Sequence, residues 1–179
     1  VDYGLMYLAK NAKKEVKIHT PYIICNDYMY NELKNIKVPT TIMTNSAENN
    51  GNIFGAVDYL NHKKDIINTG VTIKEYEGGI SYHGKSMTID DDIAIVGSFN
   101  MDMRSAYIDT ELMLVINSKD INKQLKASME EYEKKAATVK NETEYSHIPE
   151  GMKMKELSDK KKNIKAWFGW AMNGLRFLF

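Results

Sequence analysis

The chain has 179 residues, with 24 Lys and Arg balanced by 24 Asp and Glu, so its formal net charge is zero. There is no global basic field to recruit nucleic acid, which counts against a nuclease without excluding one. Cys25 is the single cysteine, which excludes a disulfide framework and a cysteine-based zinc site. The chain opens on Val1 rather than Met, shows no signal peptide and carries no apolar run long enough to span a bilayer. It is therefore read as a piece of a longer chain.

Leu5, Leu8, Ala9 and Ala12 recur at helical spacing and predict a helix over residues 2–14. Val16–Thr20 is a short β-type run stopped by Pro21. Met29, Leu33 and Ile36 mark a second helix, and Thr40–Thr44 a second strand. Asn49-Asn50-Gly51 is turn chemistry. Ile53, Val57, Leu60 and Ile67 predict a third helix ending near Gly70, followed by a strand over Val71–Tyr76. Lys85–Ile89 and Ile93–Val96 read as two short strands around Asp90-Asp91-Asp92, and Glu111–Ile116 as another. Ser118 is placed to cap a long helix whose apolar side is Ile121, Leu125, Met129 and Tyr132. Asn141–Ser146 is polar and reads as a linker. Early strands alternating with helices, then closely spaced strands, predict an α/β fold with a mixed β-sheet flanked by helices. The expected division is a domain over residues 1–140 and a linker with a helical tail over 141–179.

One segment carries chemistry. His83-Gly84-Lys85 is followed, after four residues, by Asp90, and after six more by Gly97-Ser98-Phe99-Asn100. Such a pattern arises by chance at about 10⁻⁸ per starting point at average residue frequencies. On a strand, His83 and Lys85 point the same way, so an imidazole and an ammonium address one spot. A phosphodiester is anionic, and its transition state spreads charge over non-bridging oxygens. Lys85, Asn100 and the Ser98 hydroxyl are candidate donors to those oxygens. His83 suits attack on phosphorus or proton movement near neutral pH. The alternative for Ser98 is a turn hydroxyl capping backbone. No carboxylate cluster with metal-ligand spacing accompanies the motif, so the expected chemistry uses no metal and no other cofactor.

The H-x-K-x4-D-x6-G-S-x-N pattern is that of the phospholipase D superfamily, which this chain resembles. Thr20-Pro21-Tyr22, Thr44-Asn45-Ser46 and the run Gly97–Ser105 with Thr110-Glu111 are similar to segments of the C-terminal half of bacterial cardiolipin synthases. Met103 stands where many members have Pro. The likeness extends over roughly residues 1–135 and implies a phospholipase D-like half-domain. By that resemblance Asp90 is structural, and Glu111 is the acid that hydrogen-bonds His83 and sets its tautomer. Tyr22 and Asn45, at strand ends, are candidate substrate contacts, with loop packing as the alternative. Arg104 is a candidate phosphate contact, with a buried pair to Asp102 or Asp90 as the favoured alternative. His19, His62 and His147 have no partner at meaningful spacing.

Family members place two motifs face to face. One histidine becomes phosphohistidine and the other protonates the leaving alcohol. The resemblance therefore implies a partner: an N-terminal half bearing a second motif, or a second copy of this chain. As a C-terminal half, the chain would use His83 as general acid and then base, and would have little activity alone. The implied substrate is a phospholipid, cleaved by hydrolysis or by phosphatidyl transfer. A nuclease and a non-catalytic lipid-binding half are the competing readings. In the tail, Lys162, Lys165, Gly169, Asn173 and Arg176 fall on one helical face and Ile164, Trp167, Phe168, Ala171, Leu175 and Leu178 on the other. That suits a helix over residues 160–179 lying on anionic lipid at the cytoplasmic face of a bacterial membrane. The alternative is a terminal helix packed on protein.

Overall fold

The computed structural model describes residues 1–171 and Arg176, and within residues 167–171 it describes the backbone alone. The elements in order are α1 (Asp2–Lys10), β1 (Val16–His19), β2 (Ile23–Ile24), α2 (Asp27–Lys34), β3 (Thr40–Asn45) and α3 (Ile53–Ile67). Next come β4 (Thr72–Tyr76), β5 (Ser86–Ile89), β6 (Ile93–Gly97), β7 (Met101–Asp102), α4 (Met103–Tyr107) and β8 (Met113–Asn117). The chain closes with α5 (Lys119–Glu133), β9 (Ala136–Val139), β10 (Tyr145–His147) and α6 (Asp159–Ala171).

Eight strands form a mixed sheet in the order β10-β9-β4-β3-β1-β5-β6-β8. Its centre, β4-β3-β1, is parallel, and every other pairing is antiparallel. Val16, Ile18, Ile42 and Ile73 share one face of the central strands and are buried, while Met43 is buried on the opposite face beside His19 and Lys74. Side chains from α1, α2 and α3 join this core through Leu5, Met6, Met29, Leu33 and Ile66. The mixed sheet with flanking helices is the predicted class.

Helix starts follow local chemistry. Asn26, Asn52 and Ser118 each accept a hydrogen bond from a first-turn N–H of α2, α3 and α5. The expected apolar stripe of α5 is thin. Met129 is buried, whereas Ile121 and Tyr132 are exposed. The polar stretch read as a linker is instead the turn of a hairpin. Asn141 Oδ1 accepts from the Thr143 and Glu144 amides, and β9 and β10 extend the sheet beyond β4. Tyr145 anchors this hairpin through its hydroxyl to buried Glu75, which also takes Lys63 at 2.7 Å. The folded unit thus runs past residue 140. The local polarity of the turn hid a hairpin whose first strand, β9, pairs with β4 some sixty residues earlier.

Asp90 is tied to the backbone between α1 and β1. It sits at φ 52° in the β5–β6 turn, a left-handed conformation that Asp tolerates. Its carboxylate accepts from the backbone N–H of Lys13 (2.9 Å), Lys14 (2.7 Å) and Glu15 (3.2 Å). Burial pushes this carboxyl up, but the three amides outweigh it and hold it below the usual range. Asp90→Ala is expected to cost about 1–2 kcal/mol, read as a lower urea midpoint, with Asp90→Asn recovering part of it. An unchanged midpoint for the alanine variant would refute this role.

The tail is docked on the domain. Lys161 donates to the carbonyls of Ala47 (2.8 Å), Glu48 (2.6 Å) and Asn50 (3.0 Å). Arg176 forks onto buried Asp58 at 2.6 and 3.0 Å and reaches Cys25 O at 2.9 Å. Arg176, expected on a lipid-facing basic stripe, is therefore spent on protein. A buried carboxylate such as Asp58 demands a partner more strongly than an exposed surface does. Lys162 and Lys165 are exposed. The side chains of Trp167, Phe168 and Ala171, together with Asn173, Leu175 and Leu178, lie outside the described residues, as does Gly169 beyond its backbone. Among the described residues no helix is long and apolar enough to cross a membrane.

Candidate active site

The register of β5 against β1 pairs His19 with Ser86. The residues just before β5 therefore lie beyond the C-terminal ends of the parallel strands, where open α/β sheets place ligands. His83 and Lys85 are in this lead-in rather than in the strand itself. Their i, i+2 spacing still brings the side chains together. Lys85 Nζ donates to His83 Nδ1 at 2.7 Å and to His83 O at 2.8 Å.

The lead-in has no sheet partner, so its backbone polar groups need side chains. Asn45 supplies them. Its Nδ2 donates to Tyr82 O (2.9 Å) and its Oδ1 accepts from Tyr82 N (2.8 Å). The Asn45 Nδ2 also donates to Pro21 O at 3.2 Å, and Thr44 Oγ1 donates to the same carbonyl at 3.1 Å. Asn49 takes Ile80 O at 3.2 Å and Ser81 Oγ takes Gly51 N–H at 3.1 Å. Asn45 is 1% exposed, so it is no substrate contact; it grips the residue before His83. Tyr22 does reach the site, its ring edge-on to His83 with centroids 5.8 Å apart.

Ser98 and Glu111 meet across the extended β6–β8 pairing, where Ser98 N donates to Leu112 O at 3.0 Å. The Ser98 hydroxyl donates to Glu111 Oε2. Ser105 Oγ donates to Glu111 Oε1 at 2.8 Å and accepts from Asn100 Nδ2 at 3.3 Å. Glu111 was expected on the His83 imidazole. Its hydrogen bonds go instead to the two serines, because the strand register faces it toward Ser98. Gly97 is required here: a Cβ at this position would lie 2.1 Å from Leu112 O.

Arg104 pairs with Asp109 at 3.1 Å on the surface, not with Asp102 or Asp90. Asp102 is used as the N-cap of α4, accepting from Ser105 N at 2.6 Å, and Asp90 lies at the far end of β5. Ser105 itself was missed as a site residue. Its signal was the Asp102-x-x-Ser105 cap spacing, legible only once α4 is known.

Burial first, and Lys85 second, hold the His83 imidazole below its ordinary value. Burial also lowers Lys85, against the opposing charges of Glu111 and Asp102. Lys85 Nζ also stands 3.4 Å from His83 Nε2, so the ammonium addresses both ring nitrogens.

His19 is not bland. It is 1% exposed, with Nε2 3.2 Å from Glu133 and its ring edge-on to Tyr82. Burial lowers its pKa, and the hydrogen bond to Glu133 only partly opposes this. Burial raises Glu133, but His19, Lys74 and Lys17 outweigh it and hold Glu133 at about 2. Both shifts make stability fall with acid. A neutral His19 in the fold, against an unfolded value of 6.5, loses stability as pH drops below that value. Glu133 contributes above its ordinary 4.5 and loses that contribution as pH falls toward about 2. In His19→Gln the slope of urea stability below about pH 6.5 should flatten. An unaltered slope would assign that window to other groups.

A His–Lys pair at the end of a mixed α/β sheet, followed by a Ser–Glu–Ser–Asn hydrogen-bonded set, is the arrangement of a phospholipase D-like chain. Residues 5–132 match the family described as "Cardiolipin synthase, PLD-like domain". The chain belongs to this family within the phospholipase D superfamily. It is 30% identical over 159 residues to cardiolipin synthase 1 of Staphylococcus epidermidis, covering 87% of this chain and 32% of that protein. It is 28% identical over 159 residues to cardiolipin synthase 1 of Staphylococcus aureus, covering 87% and 31%. The chain thus spans about a third of the length of these relatives. In fold it is similar to the phosphatidylserine synthase of Haemophilus influenzae, with TM-score 0.70 and 16% identity over 98% of this chain and 44% of that one. It is also similar to Nuc, a phospholipase D family member from Salmonella typhimurium, with TM-score 0.62 and 15% identity over 76% and 89%.

Proposed function

We propose that this chain is one half of a two-motif enzyme that transfers or hydrolyses a phosphatidyl group, and that His83 is its proton-moving histidine. The observation that supports this reading is the Lys85 ammonium 2.7 Å from His83 Nδ1, which sets a cation and an imidazole able to move a proton at one spot. The general acid is the imidazolium, protonated on both nitrogens, so Lys85 must leave Nδ1 for the phosphate before His83 gives its proton. A bound phosphodiester anion beside the pair would favour the charged imidazolium and raise the lowered pKa.

In the first step the second motif's imidazole attacks phosphorus and forms a P–N bond. The P–O bond to the leaving alcohol breaks, and His83 gives that oxygen its proton. In the second step His83 takes the proton of the incoming alcohol or water as that oxygen attacks phosphorus. The P–N bond breaks and the first imidazole is freed. Lys85 and Asn100 donate to the phosphoryl oxygens, and Ser98 would join them on turning its one hydroxyl proton away from Glu111, which also holds Ser105. The kinship with cardiolipin synthases and the zero net charge favour lipid over nucleic acid. Membrane association would place exposed Lys162 and Lys165 toward anionic headgroups. Lys162→Glu with Lys165→Glu should then weaken co-sedimentation with phosphatidylglycerol liposomes while leaving the Arg176–Asp58 anchor intact; unchanged binding would end the idea.

The decisive assay compares the chain alone with the chain co-expressed beside a half that supplies a second His-x-Lys-x4-Asp motif. Release or transfer of phosphatidyl groups from phosphatidylglycerol vesicles is expected with both halves and not with the chain alone. Strong diesterase activity of the isolated chain on DNA would replace this reading with a homodimeric nuclease.

A further inference from the structure

A cleft of about 600 Å³ opens beside His83. One wall is the lead-in with Ile80 and Tyr82, the other is the face of α5 with Leu125, Met129 and Tyr132, and Tyr76 joins them. The three tyrosines pack edge to face, with Tyr82 and Tyr132 centroids 4.8 Å apart and Tyr76 within 6.0 Å of each. Burial raises the Tyr76 and Tyr82 hydroxyls, so both are neutral near neutral pH. Among the described residues the lining holds no Lys, Arg, Asp or Glu. The nearby lysines are committed elsewhere: Lys74 and Lys17 pair with Glu133 and Glu130. Ile80 stands at the rim, 83% exposed.

These features select an occupant. Whatever enters is continuous with a group held at His83. A nucleic-acid strand carries a phosphate at every residue and needs cations along its path. This cleft offers none. Phenol hydroxyls, aromatic faces, Leu125 and Met129 suit ester oxygens and methylenes. We propose that the cleft seats the glycerol-ester stem and first acyl methylenes of the phosphatidyl donor. The phosphate lies at His83 and Lys85, and the neutral lipid stem runs between the lead-in and α5. This assignment rests on the phosphodiesterase reading of His83 and names where its donor is recognised.

The test is a binding comparison that needs no turnover. Dihexanoyl-phosphatidylglycerol, kept monomeric, and its deacylated form, glycerophosphoglycerol, are titrated separately into the protein labelled at methionine methyls. Met129 reports on the cleft. The acylated diester should bind at least about tenfold more tightly and shift the Met129 signal, since several methylenes leave water. Ser128→Trp lies on the exposed side of α5 at the cleft wall. It should remove that preference while leaving glycerophosphoglycerol binding unchanged. Equal affinities, an unmoved Met129 signal up to millimolar lipid, or an undiminished preference in Ser128→Trp would each overturn the assignment. If Ser128→Trp instead dissociates a dimer without altering lipid preference, the cleft is a packing surface and the assignment falls. Failure of the underlying reading looks different: His83→Ala that keeps full turnover sinks the reading and leaves the binding result standing.

Discussion

His83→Ala in the paired protein is expected to lower phosphatidyl turnover by about 10² to 10⁴, the range for loss of a positioned proton donor. The side chain is exposed, and its partners are Lys85 and the edge of Tyr22. No buried group is orphaned by its removal, because Lys85 keeps its bond to the residue 83 carbonyl. The urea midpoint should therefore stay within about 0.5 kcal/mol of the parent. Loss of turnover with stability kept separates a chemical role from a folding one. Activity within a few-fold of the parent would remove His83 from the mechanism.

Lys85→Met should cost about 10² to 10³ in kcat, as expected for one donor aimed at developing charge. The same change tests the electrostatics of the pair. Burial is the larger cause of the lowered His83 pKa and stays in the variant, whereas the Lys85 charge disappears. The ionisation of His83 should then move toward higher pH, but not by the whole of the original shift. Lys85→Arg keeps the charge and changes the donor geometry, so it should leave that ionisation low while still losing rate. The pH–rate profiles of the three proteins check this. A profile for Lys85→Met identical to the parent would show that the two groups do not communicate.

The parts of the site that were legible early are those whose chemistry is local. His83 and Lys85 are two residues apart, so any extended backbone brings them to one side. Ser118 acts on an amide of its own helix's first turn, whereas Asp90 holds amides some 75 residues earlier in the chain. Glu111, expected on His83, bonds to Ser98 and Ser105 instead. Its choice between His83 and Ser98 depends on the β6–β8 register, and a shift of one residue would turn the carboxylate to the other face. Asn45 was misread for a related reason. A polar residue at a strand end looks like a ligand contact until the unpaired backbone of Tyr82 is seen beside it.

The remaining misreadings concern partners far away in the chain. His19 finds Glu133, and Arg176 finds Asp58, each across more than a hundred positions. The 141–146 segment becomes a hairpin because β4 offers an open edge to β9. Periodicity and spacing report on what a residue does with its own helix, strand or turn. They carried the α/β class, the Ser118 cap of α5 and the pairing of His83 with Lys85. Burial, strand register and long-range charge pairing are properties of the packed sheet, and packing alone assigned Glu111 to the serines and Asn45 to Tyr82. The His83–Lys85 pair was thus written in the sequence. The tyrosine-walled cleft beside it exists only because α5 folds back across the end of β5.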